Sequence, residues 1–284
     1  ERRLEILKSM GCNAIRAAHN PPAPQLLDMC DRMGFLVIDE AFDKWSGELY
    51  PHFERDWRKD LESMIRRDWN HPSVVLWSVG NEVGEQGSAE GQEILKMLTD
   101  FAHGLDPSRK ITCAAFPTLS FDFVKATDII SLNYQGEGIR DSPAFAESRG
   151  IRTPPQYPAF REKFPDRVIL SSESAAALST RGAYLFPVSE EISGPVRDGS
   201  GGDSETRQVS AYELHAVDFG SSADKVFGSI ERHPYVAGEF VWTGFDYLGE
   251  PTPYSEEWPC RSSYFGIIDL AGLMDELASR EINE

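Results

Sequence analysis

Two glutamates close fully apolar runs: Glu82 ends VVLWSVGNE (74–82) and Glu173 lies in VILSSES (168–174). A carboxylate directly after an apolar strand is buried unless a cavity opens in front of it, which makes a strand-end acid a candidate for chemistry rather than a surface ion. Two such carboxyls on either side of one bond can cleave a glycoside. One protonates the leaving oxygen and the other attacks the anomeric carbon, with the groups about 5–5.5 Å apart. Other polar residues recur at the same kind of position: Arg16 and His19 in NAIRAAH (13–19), Asp39 and Glu40 in FLVIDEA (35–41), Asn81 beside Glu82, and Asn133 and Tyr134 in DIISLNY (128–134).

The elements that must position these residues alternate along the chain. Leu4, Ile6, Leu7 and Met10 share a helical face, as do Leu26, Leu27, Cys30 and Met33, and Gly34 stops the second helix. Further helices are predicted from Leu61, Met64 and Ile65 and from Ile94, Leu98 and Phe101. KITCAAF (110–116) and GEFVWTGF (238–245) join the runs already quoted to give seven predicted strands. Strands apolar throughout are buried on both faces, which points to a parallel sheet covered by helices. Polar residues at the ends of many strands, not at one switch point, favour a (β/α)8 TIM barrel over an open sheet. The chain opens on a helix, so the expectation is one α/β catalytic barrel over 1–284, a fragment lacking strand 1 and the last helix. Residues 175–237, with the Gly/Ser/Asp-rich SGPVRDGSGGDSE (193–205), are expected to be a long βα-loop insertion at the rim of the site.

Composition narrows the partners. A formal net charge of −18 repels phosphate backbones, and no Lys/Arg cluster interleaved with aromatics offsets it, so nucleic acid is not expected. Neither is membrane insertion, because no apolar run reaches the length of a span. Cys12, Cys30, Cys113 and Cys260 form no CxxC pair and have no histidine at ligand spacing, so they read as core thiols without zinc. The compartment is left open.

Together, MGCNAIRAAHNPP (10–22), FLVIDEAFDKW (35–45), RDWNHPSVVLWSVGNE (67–82), DIISLNYQ (128–135), VILSSES (168–174) and GEFVWTGFDYLGEP (238–251) resemble glycoside hydrolase family 2, especially its bacterial β-galactosidase-like members. The resemblance covers nearly the whole chain; the NHPSV block with W-S-x-G-N-E is its most specific part, whereas SSES alone is weak. It implies a retaining exo-β-glycosidase with Glu82 as general acid/base and Glu173 as nucleophile. It further implies that Asn81 contacts the sugar 2-OH, that Tyr134 donates to the nucleophile, that Arg16 pairs with it, that His19 touches the sugar, and that Trp242 stacks on the ring. Burial of Glu82 beside Trp77 is also expected. Some relatives bind magnesium through an E-x-H pair after the strand-three D-E-A; here DEAFDKWSG has Lys44 and Trp45 instead, so neither metal nor cofactor is expected. The N-x-K segment that grips a uronate is missing near CRSSYFG (260–266), where Arg261 is the nearest cation, so a terminal β-linked neutral hexose, galactose first, is the expected glycoside or oligosaccharide substrate. β-Glucuronidase or β-mannosidase activity is the alternative within the family, and a non-catalytic carbohydrate-binding barrel the alternative outside it. The family's accessory β-sandwich domains are expected in the full-length protein.

Overall fold

Helix and strand alternate from residue 2 in the computed structural model, which describes residues 1–47, 50–116, 120–135, 154–188, 194–212, 214–255 and 262–273. The order is α1 (Arg2–Ser9), β1 (Ala14–Ala17), α2 (Pro24–Met33), β2 (Leu36–Glu40), α3 (Phe53–Asp68), β3 (Val74–Asn81), α4 (Ala89–Leu105), β4 (Lys110–Ala115), α5 (Phe121–Val124), β5 (Ile130–Asn133), α6 (Tyr157–Lys163) and β6 (Ile169–Ala175). Then come β7 (Arg197–Asp198), β8 (Gly201–Asp203), β9 (Gln208–Val209), α7 (Ala223–Arg232) and β10 (Val236–Trp242). Local chemistry sets the boundaries. Pro24 opens α2, where a missing N–H costs nothing, and Gly34 closes it at φ 74°. Ser88 Oγ caps α4 by accepting from the Gly91 N–H at 3.0 Å.

Strands β1 to β6 lie in chain order in one sheet, with β10 as its seventh member. The pairings from β1 through β5 are parallel. Sequential parallel strands joined through helices have the connectivity of a (β/α)8 barrel, and the fold is of that type. Among the described residues, no helix is long and apolar enough to cross a membrane.

The chain divides into two compact units. Unit one comprises Glu1–Asn133, Gln156–Ser172 and Tyr235–Phe240; unit two comprises the described residues of Tyr134–Pro155, Glu173–Pro234 and Val241–Glu284. In unit one, α3 turns Leu61, Met64 and Ile65 inward. Leu95 and Leu98 of α4 are buried as well, with Trp77 and Ile111 of the strands. Burying side chains of this size contributes about 1.5–3 kcal/mol each.

Unit two has a second, three-stranded sheet, β7–β8–β9, inside the stretch expected to be one irregular loop. The same stretch carries α7, with Val226 and Ser229 buried. A core of Tyr134, Ala176, Leu178, Val209, Val217 and Phe265 holds this unit together. Cys30 and Cys113 are buried free thiols and Cys12 is half-buried and free; Cys260 lies outside the described residues.

Candidate active site

In unit one the site is built from the ends of β1, β2, β3 and β5. Arg16 of β1 and Glu40 of β2 form a buried ion pair, with Arg16 Nη2 2.8 Å and Nε 3.1 Å from Glu40 Oε2. Arg16 stands opposite Ile38 in the parallel register, so Glu40, two residues on, projects from the same face of the sheet. Arg16 also donates to Ser172 O at 3.0 Å and to Asn81 Oδ1 at 2.9 Å. Glu40 also accepts from Ser78 Oγ at 2.7 Å and from His19 Nδ1 at 2.9 Å. Burial alone would push the Glu40 carboxyl up; the Arg16 guanidinium, His19 and the Ser78 hydroxyl outweigh it and hold the group below its ordinary range. An ionised carboxylate only accepts, so His19 carries its proton on Nδ1.

Within unit one the carboxylate that Arg16 grips is Glu40, a partner that sequence reasoning did not name. The indole N–H of Trp77 donates to Asp106 Oδ2 at 3.0 Å and Arg109 lies over its ring.

Asn81 and Glu82 end β3. Asn81 Oδ1 accepts from Arg16 and from Asn133 Nδ2, the latter at 3.0 Å, and Asn133 Nδ2 also lies 3.2 Å from Glu82 Oε1. Asn133 in turn accepts from Ser172 Oγ at 2.7 Å. Glu82 takes φ 45°, a left-handed conformation rare for a residue with a side chain, while its N–H donates to Ala114 O at 2.8 Å. The glycine of W-S-x-G-N-E has a packing reason: a Cβ on Gly80 would meet the buried Trp45 indole nitrogen at 2.9 Å.

Past β2, Lys44 Nζ lies 2.5 Å from Asp43 Oδ1 and 3.0 Å from Asn81 O. An ammonium already fills this group of oxygens, so the donor set does not fit a divalent cation. Elsewhere Asp28, Asp31 and His71 bring ligand-type atoms within 4.8 Å of one another, but His71 Nδ1 is bonded to Asp31 at 2.6 Å.

Unit two holds Glu173, Tyr134 and Trp242. The Tyr134 hydroxyl donates to Glu173 Oε1, and the Tyr134 N–H donates to Glu173 O at 2.6 Å. Tyr134 also takes a left-handed φ, 52°, and its ring meets Phe219 edge-on at 4.8 Å. Trp242 packs against the core of this unit and edge-on against Tyr247 at 5.8 Å. The Tyr247 hydroxyl donates to Glu250 Oε2. Burial first, then that bond to Glu250, and then the charge of Glu173 raise the Tyr247 phenol and keep it protonated. Asp246 is structural: it accepts from Ser263 Oγ at 2.7 Å and from the Gly266 N–H at 2.9 Å. Arg261, the expected contact for an anionic sugar, lies outside the described residues.

Sequence reasoning singled out neither Asp43 nor Ser172, and it did not read Tyr247 and Glu250 as a pair. The motif W-T-G-F-D-Y-L-G-E carried the last two, with tyrosine and glutamate three residues apart.

Comparison with known proteins agrees with this architecture. Residues 1–147 match the family described as "Glycosyl hydrolases family 2, TIM barrel domain". Beta-galactosidase BoGH2A of Bacteroides ovatus is 40% identical over 312 residues, covering 96% of this chain and 34% of that protein. Human beta-glucuronidase is 29% identical over 255 residues, covering 87% of this chain and 35% of that protein. Among solved structures, a beta-glycosidase from Bacteroides vulgatus superposes with TM-score 0.71 at 31% identity, covering 97% of this chain and 35% of that one. The chain thus spans about a third of the length of the curated relatives it matches.

Proposed function

Because this chain belongs to glycoside hydrolase family 2, we propose that it is the catalytic barrel of a retaining exo-β-glycosidase that removes terminal β-linked hexose, with β-D-galactosides as substrate. In the first step Glu82 gives its proton to the glycosidic oxygen while the Glu173 carboxylate attacks C1. The C1–O bond to the leaving group breaks as the C1–Oε bond forms. In the second step Glu82 takes a proton from water, the water oxygen attacks C1, and Glu173 leaves as carboxylate, so the sugar is released with its original configuration.

The observation that carries this reading is the hydroxyl of Tyr134 donating to the buried carboxylate of Glu173. A donor fixed on one oxygen orients the carboxylate for attack on C1. Asn81 would meet the sugar 2-OH, where a hydrogen bond gains strength as positive charge develops at C1. His19 would contact another hydroxyl, and Trp242 would stack on the apolar face of the ring. Galactose is favoured over glucuronate by the higher identity to the Bacteroides ovatus enzyme, while the likeness to human beta-glucuronidase keeps a uronidase as the second reading. Accessory domains on the full-length protein are part of the proposal, given that its relatives are about three times as long.

A panel of p-nitrophenyl β-glycosides offered to the full-length protein, with Glu82→Gln as control, tests the reading. The β-galactoside should be cleaved fastest. Preference for the β-glucuronide would select the second reading, and no release from any glycoside by wild type would reduce the chain to a carbohydrate-binding barrel.

A further inference from the structure

Asn81 is gripped on several sides by a pair of residues that stand outside the strands. Its N–H donates to Asp43 O at 2.8 Å, and its carbonyl accepts from Lys44 Nζ at 3.0 Å. Its side-chain Nδ2 donates to Asp43 Oδ1 at 3.1 Å. The pair is itself anchored: Asp43 Oδ1 binds Lys44 Nζ at 2.5 Å, and Asp43 Oδ2 accepts from Tyr50 OH at 2.7 Å.

These contacts decide which way the Asn81 amide faces. Arg16 can only donate and the Asp43 carboxylate can only accept, so the oxygen must point to Arg16 and the nitrogen to Asp43. With Arg16 and Asn133 both donating to it, Oδ1 has no lone pair left. One Nδ2 hydrogen stays uncommitted among the described residues. The next peptide is fixed at both ends, its carbonyl by Lys44 and its N–H by Ala114 O, and it leads into Glu82 at φ 45°. A residue with a Cβ keeps that conformation only when its surroundings hold it.

We propose that Asp43 and Lys44 are positioning residues for the end of β3: Lys44 fixes the Asn81–Glu82 peptide, and Asp43 turns the Asn81 amide so that it meets a sugar hydroxyl only as a donor. This rests on the reading of Glu82 as the acid/base. Neither residue touches the reacting atoms. A loosened peptide misplaces the Glu82 carboxyl, which matters most for leaving groups that need a proton. A released amide can rotate its filled oxygen toward the sugar and lose the contact.

The test uses the full-length protein with the phenyl, 2,4-dinitrophenyl and 2-deoxy-2,4-dinitrophenyl β-glycosides of the sugar it cleaves. Lys44→Met should lower kcat/KM on the phenyl glycoside by about tenfold or more and on the dinitrophenyl glycoside by less than about threefold, because kcat/KM reports the first step and only the phenyl leaving group needs a proton there. Lys44→Arg, which restores a donor, should recover most of that loss. Asp43→Ala, which removes the acceptor, should remove most of the wild-type preference for the 2-hydroxy over the 2-deoxy substrate. The positioning role is overturned if Lys44→Met lowers both leaving groups equally or neither, if arginine is no better than methionine, or if Asp43→Ala keeps the wild-type preference. Glu82→Gln, run beside them, separates the two claims: undiminished phenyl glycoside cleavage by that variant sinks the acid/base assignment itself, whatever the lysine variants do.

Discussion

Arg16 and Glu40 meet as a buried ion pair at 2.8 Å, and the pair holds together the ends of β1 and β2. Removing one member leaves a charge without its partner in a site that water does not reach, which costs about 3–5 kcal/mol. Glu40→Ala should therefore lower the unfolding free energy read from urea denaturation by that order. The pH dependence has a definite sign: the Glu40 carboxyl is held below its ordinary value of 4.5, so its contribution is present above that pH and is lost as pH falls through the folded-state value. Wild type should lose stability on acidification below about pH 4.5 more steeply than Glu40→Ala. A variant with the wild-type midpoint and acid slope would show that the pair is not structural.

Asp39, next along β2, faces the opposite way and is fully buried without a hydrogen-bond donor among the described residues. Burial, and then the neighbouring Asp68, push its carboxyl up from 3.8 to about 8. The folded chain thus keeps a proton that the unfolded chain releases, and stability should fall as pH rises from about 4 to about 8, then level off. Asp39→Asn should flatten that slope and be more stable than wild type at pH 8 by ~1–3 kcal/mol. Denaturation curves at pH 5 and 8 check it; a variant less stable than wild type at pH 8 would mean that the ionised form is the native one.

How much of this was legible depended on the range of the interaction. The apolar runs ending in Arg16, Glu40, Asn81, Asn133 and Glu173 were readable as strands because burial on both faces writes itself into consecutive residues. The pairing of Arg16 with Glu40 was not, because it depends on the register that places Arg16 opposite Ile38 and so brings Glu40 beside it. Lys44 was readable only as the lack of a metal ligand; its bond to the Asn81 carbonyl follows from where the loop after β2 runs. The short strands β7 to β9 escaped notice because runs of two or three residues have no periodicity to read.

The bond from Tyr134 to Glu173 should matter for rate more than for affinity. Tyr134→Phe removes the donor and keeps the ring against Phe219. We expect kcat to fall by about 10–100-fold, or ~1.4–2.7 kcal/mol, with KM little changed. Steady-state kinetics on the preferred p-nitrophenyl glycoside measure this. A variant whose whole loss lies in KM would place the hydroxyl on the substrate instead.

An ammonium bonded to Asp43 and Asn81 leaves no room among those oxygens for a divalent cation. Activity should accordingly survive dialysis against EDTA. Loss on chelation that magnesium restores would contradict this and require ligands other than these.

The central claim is that Glu82 and Glu173 do different work on the same bond, and the configuration of the product formed with azide reads it directly. Glu173→Ala should abolish turnover, and azide entering the vacated space should restore cleavage of a dinitrophenyl glycoside with formation of the α-glycosyl azide, inverted at C1. Glu82→Ala should still form the glycosyl-enzyme from that activated substrate, and azide should then give the β-azide, retained at C1. The exchanged pattern would reverse the two roles, and wild-type turnover by Glu173→Ala without azide would remove Glu173 from the reaction.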